Sequence, residues 1–77
     1  MQSEYQNIPV SIIIPTWNGR ELLKRFLPSV VEALAAWPGG GEIVVADDGG
    51  TDGTAEFLAA EFPSVRVVRS EINRGFA

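Results

Sequence analysis

The 77 residues contain no cysteine and no histidine, and each absence excludes chemistry. Without cysteine there is neither a disulfide nor a thiolate zinc site, a lack that fits a reducing compartment. Without histidine the chain has no side chain that ordinarily titrates near neutrality, and it loses the commonest metal ligand. Any metal here would need oxygen ligands. Basic runs are also missing. Asp and Glu outnumber Lys and Arg 10 to 6, for a net charge of -4, which argues against DNA or RNA as a partner. No apolar stretch approaches the ~20 residues of a membrane helix. Met1 to Pro9 is polar, lacks the apolar core of a signal peptide, and reads as a flexible leader over residues 1–9. A chain of this size makes one domain at most. It buries only about 60% of the surface exposed on unfolding, so its stability is marginal.

What is present alternates between two periodicities. Val10 to Pro15 (VSIIIP) is a β-branched run closed by proline, which predicts a strand. Apart from Ser11 it is apolar throughout, so burial on both faces is expected. Arg20 to Trp37 carries apolar pairs four residues apart (Leu22/Leu23, Phe26/Leu27, Val30/Val31, then Leu34), the stripe of an amphipathic helix. Pro28 in its middle predicts a kink, or a break with Pro28 opening a second segment. Pro38 to Gly41 reads as a loose turn. Glu42 to Ala46 (EIVVA) predicts a second strand and Asp47 to Gly53 a loop. Thr54 to Phe62 predicts a second helix with Phe57, Leu58 and Phe62 inward and Thr51 or Asp52 as its cap. Val65 to Arg69 predicts a third, more polar strand, whose two arginines suit a sheet edge.

The order β-α-β-α-β implies an α/β, Rossmann-like parallel sheet with right-handed crossovers and spatial order 3-2-1. The first strand is then an edge although it is the most apolar one. That mismatch predicts another neighbour for it, from further chain or from a second copy by self-association.

Ligands bind beyond the carboxyl ends of such strands. Three segments leave those ends: Pro15-Thr16-Trp17-Asn18-Gly19, Asp47-Asp48-Gly49-Gly50, and Ser70 to Gly75. An aromatic face at Trp17 can stack on a base, or merely cover the sheet end. Asn18-Gly19 also suits a turn into the helix. Asp47 and Asp48 are adjacent on a strand, point to opposite faces and should do different jobs. One can accept from a base imino group while the other bonds backbone amides. A magnesium site would want convergent acids instead. Gly49, Gly50 and Gly53 permit close approach or positive φ before a helix start, which favours an anion. Neither the G-x-G-x-x-G fingerprint nor a P-loop is present.

Val10 to Gly19 (VSIIIPTWNG) and Glu42 to Thr54 (EIVVADDGGTDGT) closely resemble the two opening motifs of glycosyltransferase family 2, and Asn73-Arg74-Gly75 resembles its third. The resemblance spans Val10 to the chain end. It implies the first part of a GT-A fold, with residues 10–77 a partial nucleotide-sugar-binding domain. It also implies an inverting transferase moving sugar from a UDP- or dTDP-sugar to an acceptor hydroxyl. On the matching positions, Pro15, Thr16, Trp17 and Asn18 border the nucleoside, with Trp17 beside the base. Asp48 contacts the base imino group, and Asp47 supports the loop. Asn73 and Gly75 line the donor pocket, and Arg74 approaches the diphosphate. Gly50 stands where the family usually has serine, which removes a capping hydroxyl. No residue matches the family's Asp-x-Asp metal motif or its catalytic base. The resemblance therefore implies a divalent cation (Mg or Mn) held outside this chain, and no activity for the 77 residues alone. Cytoplasmic placement is implied, at a membrane face where further segments anchor it. The alternatives are a non-catalytic assembly fragment pairing through its sheet edge, and part of a sugar nucleotidyltransferase. The latter family's Arg- and Lys-containing glycine-rich signature is replaced here by Thr16-Trp17-Asn18-Gly19. A receiver-type domain would place its acidic pair after the first strand.

Overall fold

The computed structural model describes residues 7–70. Its elements are β1 (Val10–Thr16), α1 (Arg20–Ala35), β2 (Gly41–Asp48), α2 (Thr54–Glu61) and β3 (Arg66–Ser70). The three strands form one parallel sheet in the order β1-β2-β3. This is the α/β, Rossmann-like arrangement expected of the opening of a GT-A fold.

Both connections move across the sheet in the same direction. Crossovers of one handedness that progress one way must place their helices on one face. The packing agrees. Leu23 and Leu27 of α1 and Leu58 of α2 cluster with Ile43 and Val45 of β2, and Ile12, Ile14 and Val67 pack against them. Alternation sends Ile13, Pro15, Val44, Ala46 and Val68 to the other face, where no described helix lies. Ile13 is 60% exposed there, and Val68 is exposed as well. The expectation that β1 is covered on both sides is therefore corrected: its burial alternates residue by residue. An unbroken apolar run did not distinguish a covered face from a bare one.

Pro28 does not break the helix, and α1 runs continuously from Arg20 to Ala35. Leu23 and Leu27 are both buried and pin the turns beside the ring. Pro28 itself is on the exposed side, where the carbonyl of Lys24 that loses its partner can meet water. The helix ends two residues earlier than expected, because Trp37 turns away: its indole Nε1–H donates to the Ile8 carbonyl at 2.7 Å. Ile8 belongs to the stretch read as a leader, yet it is tied to this corner. Pro38 and Gly39 do form the expected turn, closed by the Gly40 amide donating to the Trp37 carbonyl at 3.1 Å, but the last glycine of the run belongs to β2. Gly41 has φ +149° and lies so close to the Val10 carbonyl that a Cβ would collide with backbone. It opens β2 in register with Val10.

The Asp47-Asp48 pair also differs from expectation. Both residues belong to β2, which runs to Asp48, so the loop proper begins at Gly49. Pairing with Arg69 and Ser70 of β3 extends the strand to that point.

Replacing Pro28 with alanine restores one helical donor and removes the ring's clash. An interior proline costs about 3 kcal/mol relative to alanine, and the freer unfolded chain returns about 0.4–1 kcal/mol of that. Pro28→Ala is expected to gain about 2 kcal/mol, read as a higher urea midpoint with an unchanged m value. A lower midpoint would mean the ring makes contacts the helix requires.

Candidate functional site

The site is built where β1 and β2 end. Thr16 pairs with Asp47 in parallel register, so Trp17 and Asp48 are the next residues out on neighbouring strands, at the same rim. Trp17 is 57% exposed. Asn18 adopts φ +52°, a left-handed conformation that asparagine tolerates better than most residues. Its Oδ1 accepts the Thr51 amide at 2.7 Å, which joins the loop after β1 to the loop after β2.

A second stitch lies beside the first. One oxygen of Asp52 accepts the Arg20 amide at 2.9 Å. The other accepts the Thr54 amide at 3.2 Å and the Thr54 hydroxyl. Arg20 opens α1 and Thr54 opens α2. A single carboxylate thus meets the starts of both helices, where amides lack helical partners and the dipoles favour negative charge. Burial pushes the Asp52 carboxyl up, but the Thr54 hydroxyl and the amides of Arg20, Thr54 and Asp52 itself outweigh it. The carboxyl lies below its ordinary value.

Asp47 and Asp48 diverge as alternation requires. Asp47 is 2% exposed and faces the helices; its Oδ1 accepts the Gly50 amide at 3.2 Å. Its Oδ2 is 3.9 Å from Nε of Arg69, which stands opposite it on β3. Arg69 Nη2 donates to the Gly50 carbonyl at 3.1 Å. Asp48 is 4% exposed and faces the other side, in register with Ser70. Pro15 is exposed on that same side, and Thr16 is half-buried on the helix face. Asn73 and Gly75, with Arg74, lie outside the described residues.

Gly50 is crowded rather than strained. A Cβ there would stand 2.7 Å from Asp47 Oδ1 and 3.1 Å from the Asn18 amide nitrogen. Serine at this position would displace the Asp47 carboxylate. The N-cap of α2 is Gly53, not Thr51 or Asp52, and it brings no side-chain cap; Asp52, one position earlier, accepts the Thr54 amide.

A cavity of about 140 Å³ opens between the ends of β2 and β3, lined by Ala46, Asp47, Asp48, Val68, Arg69 and Ser70. That is below the ~300 Å³ at which ligand pockets usually begin, and Trp17 is not in its lining. The rim formed by the described residues is an open shelf. Two contributors went unforeseen in the sequence, which marked Asp52 only as one of two cap candidates and Arg69 only as an edge residue. The D-G-T step before the second helix was the available signal for Asp52. Nothing local signalled Arg69, whose role depends on the register between β2 and β3.

The first two βα loops of this parallel α/β sheet are stitched together at the carboxyl ends of the strands, the place where open α/β sheets bind ligands. Residues 11–77 match the family described as Glycosyl transferase family 2, and the chain belongs to that family. Among curated relatives, it is 36% identical over 77 residues to an undecaprenyl-phosphate 4-deoxy-4-formamido-L-arabinose transferase of Edwardsiella ictaluri (strain 93-146), covering 96% of this chain and 24% of that protein. A protein of the same description from Sodalis glossinidius (strain morsitans) is 36% identical over 69 residues, covering 87% of this chain and 21% of its own. A dodecaprenyl-phosphate galacturonate synthase of Rhizobium johnstonii is 26% identical over 74 residues, covering 91% of this chain and 22% of its own. The chain spans about a quarter of the length of the curated relatives it matches.

The Asp52 bridge makes stability depend on pH. Its folded-state value is lowered, so its contribution is complete above the ordinary aspartate range of about 4. The contribution is lost as pH falls through the depressed value. Asp52→Asn is expected to destabilise the chain at neutral pH, and the gap to wild type should narrow and close as pH is lowered well below the ordinary aspartate range. Urea unfolding across that range measures it. A gap that stays constant with pH would remove the carboxylate charge from the account.

Proposed function

We propose that this chain is the nucleotide-binding part of an inverting glycosyltransferase that moves a sugar from a nucleotide-sugar onto a polyprenyl phosphate. The observation that carries the reading is the stitched rim, with exposed Trp17 beside the Asp47-Asp48 strand end, in a chain of this family. The relatives' names supply the acceptor class: undecaprenyl phosphate in one group and dodecaprenyl phosphate in another.

In this reading the base lies on the shelf against the Trp17 indole. Stacking is tolerant of base identity, so identity falls to a carboxylate accepting from an imino group, and Asp48 takes that role. A uracil or thymine nucleotide satisfies it. Asp47 holds the loop, its oxygens meeting the Gly50 amide and the Arg69 side chain.

The transfer is a single displacement. The bond from the anomeric carbon to the departing diphosphate breaks, and its electron pair stays with the phosphate oxygen. A new bond forms from the opposite side to an oxygen of the lipid phosphate. A phosphate monoester has its second pKa near about 6 and is largely dianionic at neutral pH. It needs no side chain to take a proton, whereas an acceptor hydroxyl would need a base.

A divalent cation, magnesium or manganese, would offset charge on the leaving diphosphate. The described residues do not fit it: Asp47 and Asp48 diverge, and no group of three His, Cys, Asp or Glu converges among them. In this reading its ligands lie beyond the described residues, and the 77 residues alone contribute binding without transfer. No helix among the described residues is long and apolar enough to cross a membrane. In this reading the enzyme works at the cytoplasmic face of a membrane, where its lipid acceptor is held.

Amide and indole NMR of the chain titrated with UDP, dTDP and GDP tests the reading. UDP and dTDP should move the Trp17 indole and the amides of residues 47–51, with GDP weaker. Trp17→Ala should weaken UDP binding about tenfold, the value of one stacked base. A flat response to all three nucleotides at millimolar levels would count against the proposal.

A further inference from the structure

Arg69 makes more contacts with the neighbouring loop than an edge-strand arginine needs. It stands opposite Asp47 in the β2-β3 register. Its Nη2–H donates to the Gly50 carbonyl at 3.1 Å, and its Nε lies 3.9 Å from Asp47 Oδ2. Asp47 in turn accepts the Gly50 amide through its other oxygen. Both backbone groups of Gly50 therefore end on this arginine–aspartate pair. A third contact, Nη1 to Glu56 Oε1 at 3.9 Å, is solvent-exposed and worth little.

The contacts continue past Gly50. The Gly50 carbonyl and the Thr51 amide belong to one peptide group. Arg69 holds its oxygen from β3, and Asn18 holds its nitrogen at 2.7 Å from the loop after β1. That single peptide plane links the two outer strands' ends across β2, and Asn18 is the residue that follows Trp17. The absence of a side chain at Gly50 is what allows this approach.

We propose that Arg69 is a positioning residue of the nucleotide site, holding the Gly50–Thr51 peptide so that the rim beside Trp17 keeps its shape. This rests on the nucleotide-binding reading above. Arg69 acts through the loop and not as a partner for the diphosphate. A planar guanidinium can reach the carbonyl and the carboxylate together, whereas an ammonium reaches one of them. Losing it strands the Gly50 carbonyl and leaves the buried Asp47 carboxylate with only the Gly50 amide among these contacts.

The test compares Arg69→Met and Arg69→Lys with Arg66→Met, a control on the other arginine of the same strand. Two readouts are taken on the 77-residue chain. The first is amide hydrogen exchange at Gly50 and Thr51 without ligand. Arg69→Met should speed it about tenfold, the equivalent of one charge-assisted hydrogen bond. Arg69→Lys should restore part of the protection, and Arg66→Met should change nothing. The second is affinity for uridine and for UDP. Arg69→Met should weaken both by the same factor, since the effect travels through the loop.

A loss confined to UDP would overturn the proposal and make Arg69 a phosphate ligand. Unchanged exchange at Thr51 would overturn it as well. If wild type binds neither uridine nor UDP, the nucleotide reading fails, and with it the site Arg69 is proposed to serve. The exchange arm then reports separately whether Arg69 holds the peptide. Should Arg69→Met fail to fold, Arg69→Lys carries the same comparison, because it keeps the charge and loses the second contact.

Discussion

The rim depends on one carboxylate placed between two helix starts. α1 and α2 leave different strands, and nothing in their own sequences brings their first turns together. Asp52 does so by accepting the Arg20 amide with one oxygen and the Thr54 amide and hydroxyl with the other. Each helix start carries amides without helical partners. Satisfying some from a shared group costs one residue's ordering instead of two. With those starts fixed, the Asn18–Thr51 bond falls at hydrogen-bond distance. Trp17 then leaves β1 beside the acidic end of β2. The shelf is a consequence of how two adjacent crossovers begin.

Most of the fold was legible because hydrophobic period is a local property. The β-branched runs at Val10 and Ile43 and the four-residue spacing from Leu22 to Leu34 place the strands and the first helix within a residue or two. Order and direction follow from the connection rule for parallel sheets. Pro28 misled because its cost depends on surroundings: buried Leu23 and Leu27 keep the helix together on either side of it. The first strand misled for another reason. A run of isoleucines looks the same whether one side or both are covered, and here Ile13 meets solvent.

The site was legible in part. Divergence of Asp47 and Asp48 follows from strand alternation, and their placement at the strand ends with Trp17 follows from parallel pairing. The division of labour around Gly50 does not. It depends on Arg69 lying opposite Asp47, a matter of register between segments twenty-two positions apart. Glycine at position 50 looked like a missing hydroxyl when judged by the family pattern alone. The fold gives the opposite sense, because the space beside its Cα is already filled by a carboxylate and an amide.

The placement of both helices on one side of the sheet also limits how such a sheet can grow. A strand added beyond β3 by another right-handed crossover would leave the side bearing Ile13 and Val68 uncovered. Covering that side requires the chain to reverse and join outside β1, carrying its connection across the opposite face. Strand order then turns around at β1, and at such a reversal the loops on either hand splay apart. The gap would open next to Trp17, so the element that shields the face bearing Ile13 and Val68 would also supply the second wall of the crevice beside that indole.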